Sequence, residues 1–156
     1  MALEELYKEV ILDHYKSPRN KHELPSATTS CSKNNPLCGD EITVEARIED
    51  GRVTEVAFQG SGCSISQASA SMMTEAVTGR SLEEAMRLAG EFRGMMEGAV
   101  EPDEASLGDL VALKGVVKYP VRIKCAVLAW DVLQDALTDE GDGKAEASGE
   151  APHALP

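Results

Sequence analysis

The sequence has 156 residues, enough for one domain, and its 15 Lys and Arg against 27 Asp and Glu give a formal charge of −12. That charge repels a phosphate backbone and excludes a basic nucleic-acid surface. An apolar share of 42% excludes wholesale disorder, and no apolar run approaches the roughly 18 residues of a membrane span.

Leu3, Leu6, Tyr7, Val10 and Ile11 recur with helical spacing, so the chain is expected to start with an amphipathic helix. Its acidic character does not fit a secretory leader, and the expected compartment is the cytoplasm, with reduced cysteines. Ser17-Pro18 ends the helix, because a residue before proline avoids the helical region. His14 continues the apolar stripe and reads as a packed side chain. Residues 19–40 read as mostly loop, with a weak strand near Thr28 to Lys33.

Ile42, Val44, Ala46 and Ile48 alternate with polar residues and predict a half-buried strand. Asp50-Gly51 predicts a two-residue hairpin, after which Val53 to Gln59 returns with Thr54, Val56 and Phe58 on one face. Gly60-Ser61-Gly62-Cys63-Ser64 reads as a tight turn feeding a helix with Ile65, Ala68, Ser69, Met72 and Ala76 on its apolar face, stopped at Gly79. Ser81 to Glu84 is a capping box for a further helix burying Leu82, Ala85, Met86, Ala89 and Phe92. Gly94 to Gly108 reads as a connection, and Asp109 to Leu113 as a short helical turn. Pro120 opens a last helix, with Val121, Cys125, Leu128, Val132 and Ala136 as its apolar positions.

Strands precede most of the helices. The expected fold is α+β, with about three antiparallel strands and the helices on one face. The domain is placed at residues 1–137. From Thr138 to Pro156, five acids, one Lys, three Gly and two Pro read as a solvated tail that includes His153. Subtracting its five acids and one lysine from the total leaves −8 on residues 1–137.

No Gly-x-Ser-x-Gly elbow is present, the three histidines are scattered, and Gly60-Ser61-Gly62 lacks the Walker lysine. The chemistry therefore rests on Cys31, Cys38, Cys63 and Cys125. None forms Cys-x-x-Cys, and a single dispersed cysteine is most often a small buried apolar residue. Three of them, however, sit at element ends: Cys38 in a turn before a strand, Cys63 at a helix start and Cys125 in the first turns of the last helix. Helix N-termini favour thiolate, and Arg122 and Lys124 add positive charge beside Cys125. Asp40, two residues after Cys38, supplies a harder fourth donor. Three thiolates and a carboxylate suit a tetrahedral site for Zn, Cu(I) or an Fe–S cluster, and the carboxylate makes one position more labile. Cys31 reads as an inward strand position and not as a ligand.

Around these residues the sequence resembles the U-type iron–sulfur cluster assembly family, IscU, NifU and SufU. The resemblance is carried by Asn35-Pro36-Leu37-Cys38-Gly39-Asp40, by Gly60 to Ser66 with Ala68 to Met73, by Arg122-Ile123-Lys124-Cys125-Ala126, and by Tyr7 to Asn20. It covers about residues 3 to 137. Lys124 stands where IscU-type scaffolds usually carry His, Tyr119 to Lys124 does not match their Leu-Pro-Pro-Val-Lys segment, and the Gly94 to Tyr119 connection is longer. These departures are similar to the SufU branch. The resemblance implies zinc held by Cys38, Asp40, Cys63 and Cys125, and a sulfurtransferase-like carrier whose Cys38 accepts sulfane sulfur from a PLP-dependent cysteine desulfurase. The sulfur then passes to a downstream cluster scaffold or apo-acceptor protein, with no nucleic acid or membrane involved. The alternative is a scaffold that binds iron or a [2Fe–2S] cluster on the same ligands.

Overall fold

A computed structural model describes residues 3–36, 39–98 and 104–142. The order is α1 (Leu3–Lys16), β1 (Thr29–Asn35), β2 (Asp40–Glu49), β3 (Arg52–Ser61), α2 (Ser64–Val77), α3 (Leu82–Met96), α4 (Glu104–Leu107), a 3₁₀ helix (Gly108–Lys118) and α5 (Pro120–Asp142). The architecture is the expected α+β, a three-stranded antiparallel meander in the order β1-β2-β3.

Period-two alternation sends Ile42, Val44 and Ala46 into the core, opposite Phe58 and Val56 on β3 and Cys31 on β1. Cys31 is thus the inward strand residue expected. Asp50 and Gly51 both have positive φ, 52° and 74°, as a type I′ hairpin turn requires. The return strand departs from the expected pattern. Ile48 pairs with Val53 and Arg47 with Glu55, so Thr54 is the extra residue of a β-bulge. Val53 takes the inward position instead of Thr54, whose hydroxyl donates to the Arg47 carbonyl at 3.1 Å.

Helices α2 and α5 pack on the inward face of the sheet, with α5 against β1 and β2 and α2 against β3. Helix α1 and the 3₁₀ helix pack on α2, and α3 packs on α5, where Phe92 stacks on Trp130 at 5.0 Å. The expected starts and stops hold at Lys16 before Ser17-Pro18, at Gly79 (φ 89°) and at the Ser81/Glu84 capping box, whose two reciprocal bonds are both present.

Several expectations need correction. Helix α2 is not buried along one stripe: every residue from Ser66 to Thr74 is buried. Helix α3 runs on to Met96 and buries Met95 and Met96. The short turn at Asp109 to Leu113 is an eleven-residue 3₁₀ helix. Leu110, Leu113 and Val116 are buried at every third position, which matches three residues per turn. On α5, Val121 is 55% exposed, whereas Cys125, Leu128, Val132 and Ala136 are buried. Helix α5 continues past Leu137 to Asp142. Of the tail read at residues 138–156, positions 143–156 lie outside the described residues. Among the described residues, no helix is long and apolar enough to cross a membrane.

Candidate metal centre

Three elements meet at one end of the sheet. Asp40 is the first residue of β2, Cys63 is the N-cap of α2, and Cys125 lies in the second turn of α5. Each offers one ligand atom, and the three atoms all lie within 4.8 Å of one another. Cys38 lies outside the described residues. In sequence it falls two positions before Asp40, in the connection between the paired residues Asn35 and Asp40.

The glycine turn before α2 is shaped by close approach. A Cβ on Gly60 would sit 1.9 Å from the Glu41 backbone oxygen. One on Gly62 would sit 2.4 Å from Asp40 Oδ1 and 2.6 Å from Ser66 Oγ. Both residues therefore need the missing side chain so that α2 can start directly against β2.

Asp40 is 1% exposed. Its Oδ1 accepts from the Cys63 backbone N–H at 2.9 Å and from the Ser66 hydroxyl at 3.2 Å. Its Oδ2 is buried and has no hydrogen-bond partner among the described residues. A buried carboxylate oxygen left without a donor is costly, and a cation in the adjacent site would satisfy it. Two sulfurs on one tetrahedral zinc lie about 3.8 Å apart, so the observed spacing needs only small side-chain rotations to close on an ion. The residues therefore fit a thiolate-preferring metal.

Arg122 faces the same cluster. The negative charge of Cys63, and after it the hydrogen bond and charge of Cys125, holds the Arg122 guanidinium above its ordinary pKa. Metal ligands bind deprotonated, so a fixed cation here offsets part of the site's negative charge. Lys124 is exposed. Cys125 is fully buried, and its thiol lies 3.8 Å from the Val121 carbonyl one turn back.

The structure thus brings together Asp40, Cys63 and Cys125 of the sequence-derived set and keeps Cys31 in the core. Sequence reasoning missed Ser66, buried against Asp40, and Gln67, buried against Ser66. The available signal was spacing: Ser66 stands three residues after Cys63, on the helical face that turns back over the N-cap.

His14, expected to be a packed residue, is 2% exposed, and its Nδ1 lies 2.8 Å from Ser71 Oγ. It is held below the ordinary histidine pKa by burial first and the Arg19 charge second.

The NifU-like N-terminal domain family matches residues 6–126. The zinc-dependent sulfurtransferase SufU of Bacillus subtilis is 45% identical over 141 residues, covering 90% of this chain and 95% of that protein. The iron–sulfur cluster assembly scaffold protein IscU of Streptococcus pyogenes is 43% identical over 135 residues, covering 86% and 84%. Among solved structures, a SufU-type scaffold protein from Fervidobacterium islandicum superposes with a TM-score of 0.79 at 34% identity, covering 87% of this chain and 99% of that one. The family match over residues 6–126, together with relatives 45% and 43% identical over most of the chain, makes this protein a member of the U-type iron–sulfur cluster assembly family.

Proposed function

We propose that this protein accepts persulfide sulfur from a PLP-dependent cysteine desulfurase on Cys38 and relays it to a downstream cluster scaffold or apo-acceptor. In this reading Cys38, Asp40, Cys63 and Cys125 hold a zinc ion. The observation that carries it is the convergence of Asp40, Cys63 and Cys125 on one point, with a buried carboxylate oxygen left unsatisfied there. Support also comes from the 45% identity to a protein named a zinc-dependent sulfurtransferase. Bound zinc would supply charge that keeps its sulfur ligands deprotonated and in place.

The transfer itself is thiol exchange. The Cys38 thiolate attacks the outer sulfur of the desulfurase persulfide, a new S–S bond forms on Cys38, and the donor S–S bond breaks. The donor cysteine leaves as thiolate, so no external oxidant or reductant is needed. Asp40, Cys63 and Cys125 remain as three anchored donors while Cys38, on a connection between strands, engages the partner. Arg122 lies where it offsets the negative charge of these sulfurs.

The test is alanine production by the desulfurase with and without the zinc-loaded protein. Strong stimulation that disappears in Cys38→Ala supports the reading. Absence of stimulation overturns it. A second reading, assembly of a [2Fe–2S] cluster on the same donors, is favoured instead if anaerobically purified protein retains iron and sulfide. The residue before Cys125 is Lys124 and not the His usual in IscU-type scaffolds, which favours sulfur transfer.

A further inference from the structure

We propose that Ser66 is a positioning residue for Asp40, fixing its carboxylate so that only Oδ2 is available to the metal. The inference rests on the metal-centre reading above.

The Ser66 side chain is fully buried and its hydroxyl has two acceptors within reach, Asp40 Oδ1 at 3.2 Å and the Cys63 carbonyl at 3.1 Å. It has one proton to give. The Cys63 carbonyl already accepts the Gln67 backbone N–H at 3.1 Å, as the first turn of α2 requires. The carboxylate carries charge and is the stronger acceptor, so the proton belongs to Asp40. On the far side, Gln67 Nε2 approaches Ser66 Oγ at 3.5 Å, and Gln67 is itself 3% exposed. A donor placed there turns the hydroxyl proton away from Gln67 and toward Asp40.

Oδ1 is then held from two directions, by the Cys63 N–H and the Ser66 O–H, while Oδ2 has no partner among the described residues. Gly62 reports the same constraint independently, since an added Cβ would strike both Asp40 Oδ1 and Ser66 Oγ. Two fixed bonds prevent the carboxylate from turning both oxygens toward an ion. Asp40 is thereby a one-oxygen ligand, and the site stays four-coordinate with three sulfurs. A residue one hydrogen bond removed from the metal commonly controls affinity in this way.

The experiment compares wild type, Ser66→Ala, Ser66→Thr and Asp40→Ala, all as full-length chains. Zinc affinity is measured by competition with a chromogenic chelator. Coordination is read from the d–d absorption of the Co(II)-substituted proteins. Ser66→Ala is expected to weaken zinc binding about 10-fold and to lose d–d intensity as Oδ1 adds a fifth ligand atom. Ser66→Thr, which keeps the hydroxyl, restores the wild-type spectrum. The apo melting temperature separates this from a packing defect: a lower melting temperature with unchanged affinity and spectrum overturns the proposal. Unchanged or tighter zinc binding in Ser66→Ala overturns it too. If Asp40→Ala weakens zinc binding while Ser66→Ala does not, only the role of Ser66 falls. If wild type takes up neither metal, the metal-centre reading falls with it.

Discussion

Gly60 and Gly62 sit two residues apart in one turn, yet a methyl group added at each would be felt in different places. At Gly60 (φ 139°) it meets the backbone of the neighbouring strand, which cannot yield. Gly60→Ala is expected to destabilise the fold by about 3 kcal/mol, from overpacking and backbone strain together, measured by urea denaturation. At Gly62 it meets two side-chain oxygens, which can swing aside. Gly62→Ala is expected to cost less stability but to weaken zinc binding about 10-fold by turning Asp40 out of position, again read by chelator competition. His14 gives a pH prediction. Burial and Arg19 hold its pKa in the fold below the ordinary 6.5, against the opposing pull of Glu75, Asp109 and Asp13. Between the two values the unfolded chain binds a proton that the native chain does not. Stability from this group is therefore complete above pH 6.5 and is lost as the pH falls below it. The melting temperature should decline on acidification through that range, and His14→Gln should flatten the slope.

Helix α2 connects these residues. Its buried hydroxyls each address a different neighbour: Ser66 meets β2 through Asp40, Ser69 donates to the Ala126 carbonyl of α5 at 2.6 Å, and Ser71 contacts His14 and the Arg19 backbone N–H of the α1 segment. Thr74 accepts from Asn20 Nδ2 at 2.9 Å. The consequences of deletion differ. Ser69→Ala removes a bond to a carbonyl of another helix and should cost about 1 kcal/mol. Ser71→Ala leaves the buried His14 ring and the half-buried Arg19 N–H without their partner and should cost about 2 kcal/mol, distinguishable by denaturant titration of the two variants. This helix also shows where sequence reading fails. A single stripe through Ile65, Ala68, Ser69, Met72 and Ala76 is what the helical period predicts, whereas close packing on all sides suits small side chains whose oxygens find partners in the neighbouring elements. The bulge at Thr54 escaped for a related reason: alternation presumes a regular ladder, and one extra residue reverses the faces before it. The period of three at Leu110, Leu113 and Val116 is present in the sequence but is shorter than the α-helical period, so only a short turn at Asp109 to Leu113 is legible there.

For the molecule as a whole, the element types, the hairpin turn and the capping box were all readable, because each depends on residues within a few positions of one another. The donor set and its place at element ends were readable in the sequence, but the geometry of the cluster was not. Its convergence depends on how β2, α2 and α5 stack, which no local pattern encodes, and Ser66 gains meaning only after that stacking. The last buried side chain described on α5 is Leu137, and Thr138 is exposed. A chain ending at Leu137 should therefore keep its melting temperature within a few degrees, an expectation tied to roughly 2–4 °C per kcal/mol for domains near 150 residues. It should also keep full stimulation of the desulfurase; loss of stimulation would assign the tail a role. Zinc at 100 times its dissociation constant should add about 2.7 kcal/mol to stability, seen as a higher melting temperature that a chelator reverses.

The donors come from positions 40, 63 and 125. During synthesis, Asp40 and Cys63 are made early and Cys125 only with the final helix. A nascent or truncated chain lacking α5 holds an incomplete set and cannot close it around an ion. In the proposed metal centre, a bound ion would report completed folding, because a chain that carries it must already have docked α5 onto the sheet beside β2 and α2.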